Sequence, residues 1–236
     1  MDVTQKIRTL YEVKENEGFP KSGHSSTWVK DLSVFFKKYN MWIAGAKDGL
    51  SLNQFYVGHC LYKWPVYSNE NNKEAREWFK KAAGQNNIDA AYYLAKMYLK
   101  GEGGEKFTKE GLEILESIKD KNINSLDLLG ATYLYGKYGV QENTEKGLEY
   151  LKNASSLGSN YANEVLGLLF FNGIRKIVSK DPEMGLLHLQ NIEGKRKKFA
   201  KKFISDFFNK YNNDLRRDVL LSRNYKRVLN SLQNII

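Results

Sequence analysis

Cysteine, proline and histidine are scarce in this chain of 236 residues: one, three and three. A lone Cys60 forms no internal disulfide, and no Cys pair or His-Glu-x-x-His run offers a zinc framework. Cys60 reads as a small buried residue. His59 adjoins it, but neighbours on a helix diverge by about 100°, so the two do not form a nucleophile pair. The prolines, at 20, 65 and 182, interrupt no strong helical pattern. No run approaches the ~18 apolar residues that a membrane helix needs. The opening Met-Asp-Val-Thr-Gln-Lys-Ile-Arg lacks the apolar core of a signal peptide, so the expected location is the cytoplasm. No Asn-Gly or Asp-Gly turn joins alternating β-branched runs, which removes the main hairpin signal. Gly101-Glu-Gly-Gly-Glu-Lys106 lacks the Gly-Lys-Ser/Thr ending of a phosphate loop, and no Asp-x-Asp-x-Asp-Gly calcium loop occurs. Glu113 and Glu116 read as a solvated helix face. No catalytic, cofactor or metal residue is expected, and the chain is not expected to be an enzyme.

What the chain does have is a period. The steps Val57-Gly58, Leu94-Ala95, Leu129-Gly130 and Leu166-Gly167 recur at intervals of 37, 35 and 37. A period of this size means stacked supersecondary units. Each step lies in a longer pattern, such as Ala90-x-x-x-Leu94-Ala95-x-x-Tyr98-x-x-Gly101, repeated from Ser125 to Gly136 and from Ala162 to Gly173. Spacings of three and four put these side chains on one helical face. The small residue admits a neighbouring helix backbone, and the closing Gly suits a C′ position with positive φ. Ala75, Gly111, Gly147 and Gly185 recur in a second set of helices at 36, 36 and 38. Gly inside a helix costs roughly 1 kcal/mol against Ala, so the recurrence implies a packing reason. Thr108, Asn143-Thr144 and Asp181-Pro182 signal the starts of these second helices. The unit is helix, tight turn, helix.

On these residues the chain resembles the SEL-like repeats, a branch of the tetratricopeptide-type solenoids. Ala82-Ala83 and Asn153-Ala154 match the family's second-helix ending; Ser117-Ile118 and Asn191-Ile192 depart from it. The resemblance covers residues 51–194, as units at about 51–86, 87–122, 123–158 and 159–194. It implies an all-α fold: a right-handed α-solenoid of about four repeats, with atypical helical caps at 1–50 and 195–236. In that architecture the first helices line a concave face. Positions three before, one after and four after the small step then point inward. These are Phe55, His59 and Tyr62; Tyr92, Lys96 and Leu99; Asp127, Ala131 and Leu134; and Glu164, Leu168 and Phe171. The resemblance implies protein recognition there, usually without catalysis.

The flanks differ from the repeats. Residues 15–26 are polar and Gly-rich, while 27–40 is amphipathic. Trp42 lies 36 residues before Trp78, which makes 27–47 a divergent half-unit capping the stack. Residues 195–236 carry twelve Lys/Arg and three Asp, so +9 of the whole chain's +10 lies there. Apolar periodicity persists through Phe203, Phe207 and Tyr211, so this segment reads as a closing helix pair with a basic outer face. Candidates on that face are Lys195, Arg196, Lys197, Lys198, Lys201, Lys202, Arg216, Arg217 and Arg223.

The expected function is binding another protein in a bacterial cytoplasm, a source suggested by the richness in Asn and Lys. An immunity protein that occludes a toxin or effector with an acidic surface leads, because the chain carries no second domain through which an adaptor would couple its partner. The alternatives are an adaptor in a regulatory or secretion complex and nucleic-acid binding through the basic helices. A partner at the membrane through a spanning helix is not expected.

Overall fold

The computed structural model describes residues 39–63, 69–173 and 179–211. Every regular element among them is helical. They are Ser51–Lys63 (α1), Asn69–Ala83 (α2), Ile88–Lys100 (α3), Thr108–Ile118 (α4), Ile123–Tyr135 (α5), Thr144–Ser156 (α6), Asn160–Asn172 (α7), Pro182–Gln190 (α8) and Lys197–Tyr211 (α9). Residues 39–47 are helical as well, and 3₁₀ turns occupy Lys137–Gly139 and Gly194–Arg196. The described residues form two compact units: one reaches to Leu94 and includes Glu102–Gly104, and the other holds Ala95–Gly101 and the described residues from Glu105 onward.

The recurrent small residues mark where the two helices of a repeat cross. A Cβ placed on Gly130 of α5 would lie 2.7 Å from Leu151 Cγ of α6 and 3.2 Å from the Gly147 carbonyl oxygen. A Cβ on Gly147 would lie 2.7 Å from the Leu134 amide nitrogen and 2.9 Å from its Cα. The pattern returns one repeat later, where Gly167 meets Leu189 and the carbonyl of Gly185, and Gly185 meets the Phe171 ring. Gly58 meets Phe79 and the Ala75 carbonyl in α1 and α2. Each helix therefore offers a small residue and receives the large residue four positions on from its partner's. Burying each such Leu or Phe contributes about 1.5–3 kcal/mol.

The turns repeat too. Gly101, Gly136 and Gly173 all have positive φ (71°, 59° and 71°), as the closing-Gly pattern requires. Just beyond, the residue preceding each second helix donates its amide to the same register of the first: Phe107 to Tyr98 O, Asn143 to Tyr133 O and Asp181 to Phe170 O, at 3.0, 2.8 and 2.8 Å. Asn143 and Asp181 cap α6 and α8, accepting from Lys146 N and Met184 N, with Pro182 opening α8. α4 starts at Thr108, as the sequence signal predicts, with Thr108 as its first residue rather than its cap. Phe107 holds the cap position, and the Thr108 hydroxyl donates instead to Tyr138 O at 3.2 Å.

Within the first unit, Trp42 stacks on Tyr56 (centroids 5.0 Å apart) and Phe79 stacks on Tyr93 (5.2 Å). Both partners shift by 37 residues between the two stacks. The equivalent of Trp42 is thus Phe79 and not Trp78, one residue off the spacing expected. The helical residues 39–47 hold the place of a second helix, packed as α2 packs on α3. In the other unit, α9 closes an apolar cluster in which Phe171, Leu186, Leu189 and Ile192 meet Ala200, Phe203 and Ile204.

Replacing Gly147 by Ala should destabilise the protein, although Ala is the better helix former. Overpacking against backbone costs about 1–3 kcal/mol and exceeds the ~1 kcal/mol propensity gain. At Gly84, where an added Cβ would sit at an ordinary 3.5 Å, the same change should be near neutral. Urea denaturation of both variants checks this; equal stabilities would remove the packing argument.

Candidate functional site

The registers of the first helices differ in exposure. From the second repeat on, the positions four after the small step are not on the exposed face, whereas Tyr62 in the first is half-buried. Leu99, Leu134 and Phe171 are 0%, 5% and 3% exposed. They are the large residues that cover Gly111, Gly147 and Gly185, so a partner cannot reach them without unpacking a repeat. Ala131 is buried as well. The positions three before the step, together with His59, Lys96 and Leu168 one after it, remain half-buried.

In the first unit this face is aromatic. Phe55 has ring neighbours in His59, Phe79 and Tyr93 at 5.7–6.1 Å. His59 meets Tyr93 edge-on at 5.2 Å, Tyr62 does so at 5.7 Å, and Tyr92 at 5.4 Å. Tyr93 is therefore the hub of the set, yet the sequence reading did not select it. Its signal was the 37-residue echo of Tyr56, which no single repeat displays. Burial and the Lys63 charge hold the His59 imidazole below its usual pKa, so it is neutral at pH 7. Burial, with a hydrogen bond to Glu102, raises the Tyr62 phenol well above its usual range. Burial pushes the half-buried Cys60 thiol up to about 11, so the reactive thiolate is not formed near neutral pH.

In the second unit the face is acidic and apolar. Asp127 of α5 accepts the Ser159 hydroxyl at 2.7 Å on both carboxylate oxygens. Ser159 caps α7, accepting from Ala162 N at 3.1 Å. Asp127 thus holds the capping residue of the next first helix. One repeat on, Glu164 pairs with Arg196. Half-buried Tyr161 lies beside these acids, with Tyr135, 49% exposed, next to it; both were missed by the sequence reading because their registers lie outside the three inward positions. Burial lifts the Asp127 pKa to about 6, against the opposing pull of the Ser159 hydrogen bond and the Arg196 charge.

Two polar clusters involve the second helices. The Glu116 carboxylate accepts from Tyr150 Oη, takes a hydrogen bond from Lys119 at 3.1 Å and lies 3.6 Å from Lys146. Burial acts to raise its pKa, but these donors and cations outweigh burial and leave it below the usual carboxylate range. Lys146 also lies 4.1 Å from the Tyr133 ring centroid. Glu116 is therefore not part of a solvated face, unlike exposed Glu113. The second cluster is Ser155, Asn163 and His188. Ser155 Oγ donates to Asn163 Oδ1 at 2.8 Å, and His188 Nδ1 lies 3.2 Å from both. The His188 ring stacks flat on Phe170.

The basic candidates Lys197, Lys198, Lys201 and Lys202 are exposed on α9, with Arg196 just before it. Arg216, Arg217, Arg223 and the Lys195 side chain lie outside the described residues. Among the described residues no group of His, Cys, Asp and Glu could hold a metal ion, and no helix is long and apolar enough to cross a membrane.

A family profile described as the Sel1 repeat matches residues 54–87, 88–116, 124–159 and 161–191, together more than half of the chain. An uncharacterized protein of Neisseria meningitidis serogroup B is 35% identical over 94 residues, which are 39% of this chain and 20% of that protein. Among solved structures, a protective antigen of uropathogenic Escherichia coli displaying an SLR fold aligns with TM-score 0.59 and 26% identity, over 74% of this chain and 36% of the antigen. A Sel1 repeat protein from Oxalobacter formigenes aligns with TM-score 0.54 and 21% identity, over 65% of this chain and 63% of that one. The chain thus spans about a fifth of the curated relative and about a third of the antigen.

Asp127 sets a pH dependence. Its folded pKa of about 6 lies above the reference 3.8, so the folded state binds its proton more tightly. Its contribution to stability therefore grows as pH falls from about 7 to about 4. Asp127→Asn should stabilise the protein at neutral pH, by about 1–2 kcal/mol after discounting for partial exposure, and should flatten that dependence. Urea denaturation of both proteins across this range is the check. A wild-type stability that falls on acidification relative to the variant would contradict the assignment.

Proposed function

The chain belongs to the Sel1 repeat family, whose members are non-catalytic scaffolds for protein–protein interaction, and on that premise we propose that it binds another protein through the half-buried face of its first helices. The observation that carries this reading is the division of registers. The position four after each small step is consumed by packing from the second repeat on, while Phe55, Tyr92, Asp127 and Glu164, three before it, remain accessible with His59, Lys96 and Leu168. The former are committed to the helix crossing. The latter supply aromatic anchors in one unit and a mixed apolar and acidic surface in the other, the composition of a contact surface.

Among protein-binding roles we favour an inhibitor of the immunity type, acting in a bacterial cytoplasm and occluding a cognate toxin or effector. Occlusion needs surface alone, and a net charge of +10 speeds association with an acidic partner. An adaptor in a regulatory or secretion complex would use the same face.

A photocrosslinking amino acid at Tyr92 or Leu168 should capture a protein in the source cell, and one at exposed Glu113 should not. Capture from Glu113 alone would place the contact elsewhere. Once the partner is in hand, Tyr92→Glu and Leu168→Glu should weaken binding at least about tenfold, or ~1.4 kcal/mol, without loss of helicity. A partner that is toxic when expressed alone and harmless with this chain supports the inhibitor role. A partner that is not toxic favours the adaptor.

A further inference from the structure

Helix α9 is two-sided. Ala200 and Ile204 are buried and Phe203 packs on Phe171, while Lys197, Lys198, Lys201 and Lys202 are exposed. The lysines form two i,i+4 rows, 197 with 201 and 198 with 202, with about 6 Å between partners along the axis. They occupy the first two turns of a helix whose first turn holds no acidic residue. Both features work against the helix: cations there face the positive end of the backbone dipole, and like charges four residues apart repel. The apolar side does not require them, since any polar residue at these positions would leave Ala200, Phe203 and Ile204 in place. Positive charge is concentrated at the end of the helix that tolerates it least, and an approaching anion would relieve both penalties.

We propose that the two lysine rows of α9 are a docking surface for an acidic segment of a protein, one whose carboxylates recur at about 6 Å, as on an acidic helix face. The proposal rests on the protein-binding reading for its class of partner, but its location on α9 is separate from the first-helix face. Exposed ion pairs are individually weak, so this surface guides and orients a partner more than it holds one.

Nucleic acid fits the surface less well. Four lysine contacts would give a salt slope of only about −3.6 on a duplex, a smaller electrostatic contribution than six to ten contacts supply. The guanidinium fork of Arg196, the group best suited to a phosphate, is already paired with Glu164. Among the described side chains of α9 the aromatic Phe203 is packed on Phe171, so it offers no ring for stacking a base.

The test uses the full chain and two labelled probes, a glutamate-rich helical peptide and a duplex DNA, titrated by fluorescence anisotropy at about 50 and 150 mM salt. Changing Lys197, Lys198, Lys201 and Lys202 together to Gln should weaken peptide binding at least about tenfold at the lower salt. A control with the same charge change at exposed Lys47, Lys73, Lys80 and Lys121 should stay within about twofold. The α9 variant should melt no lower than the wild type at low salt, because its lysines oppose the helix. Three results would overturn the proposal: peptide binding unaffected by the α9 changes, duplex bound more tightly than peptide, or a clear loss of thermal stability marking the lysines as structural. Failure of crosslinking from Tyr92 or Leu168 would leave these measurements untouched, so the two readings fail separately.

Discussion

Everything in this protein follows from how closely two helix backbones approach at the small residues. Gly130 and Gly147 face each other across α5 and α6, and neither has room for a methyl group. That approach fixes the crossing point within each repeat and brings Leu151 onto Gly130 and Leu134 onto Gly147. It also fixes rotation about each helix axis. Once one stripe of α5 or α7 is committed to its partner, the residues three before the step are left facing away from the crossing, whatever their chemistry. Binding surface and packing surface are therefore two consequences of one contact.

That separation explains how the same scaffold carries unlike surfaces. The register of Phe55 and Tyr92 is occupied by Asp127 and Glu164 in the following repeats, with no change in the crossing. Aromatic rings around Tyr93 fill the first unit, where a neutral His59 adds polarity without charge. The second unit retains an ionised carboxylate at a half-buried position, at some expense of stability, and uses it to hold Ser159 at the start of α7. Asp127 thereby joins the face to the framework: a change in its charge is felt by the cap of the next repeat as well as by any ligand.

Charge is partitioned in the same way. On the second helices Glu116 gathers Tyr150, Lys119 and Lys146 into a satisfied network, which binds α4 to α6 and leaves little for a partner to exploit. At the closing helix the reverse holds, since the four lysines of α9 lie on the side away from the apolar cluster. Among the described residues α9 covers the last repeat with one side, and its other side carries the charge.

The period, the helix-turn-helix unit, the glycine turns and the caps at Asn143 and Asp181 were legible in the sequence, because each depends on spacing within one or two turns of helix. So was the need for a small residue at the crossing. The sequence did not separate Leu134 and Phe171 from Asp127 and Glu164, since all four lie on first helices at repeating registers. Only the rotation of each helix on its partner decided that the first pair is core and the second is surface. Tyr93 as an aromatic hub, Glu116 as a network centre and Thr108 as a donor to Tyr138 belong to the same class. Local spacing determines which helices form and where they end; contacts between residues 13 to 34 positions apart determine which way each side chain is turned, and so what the surface can do.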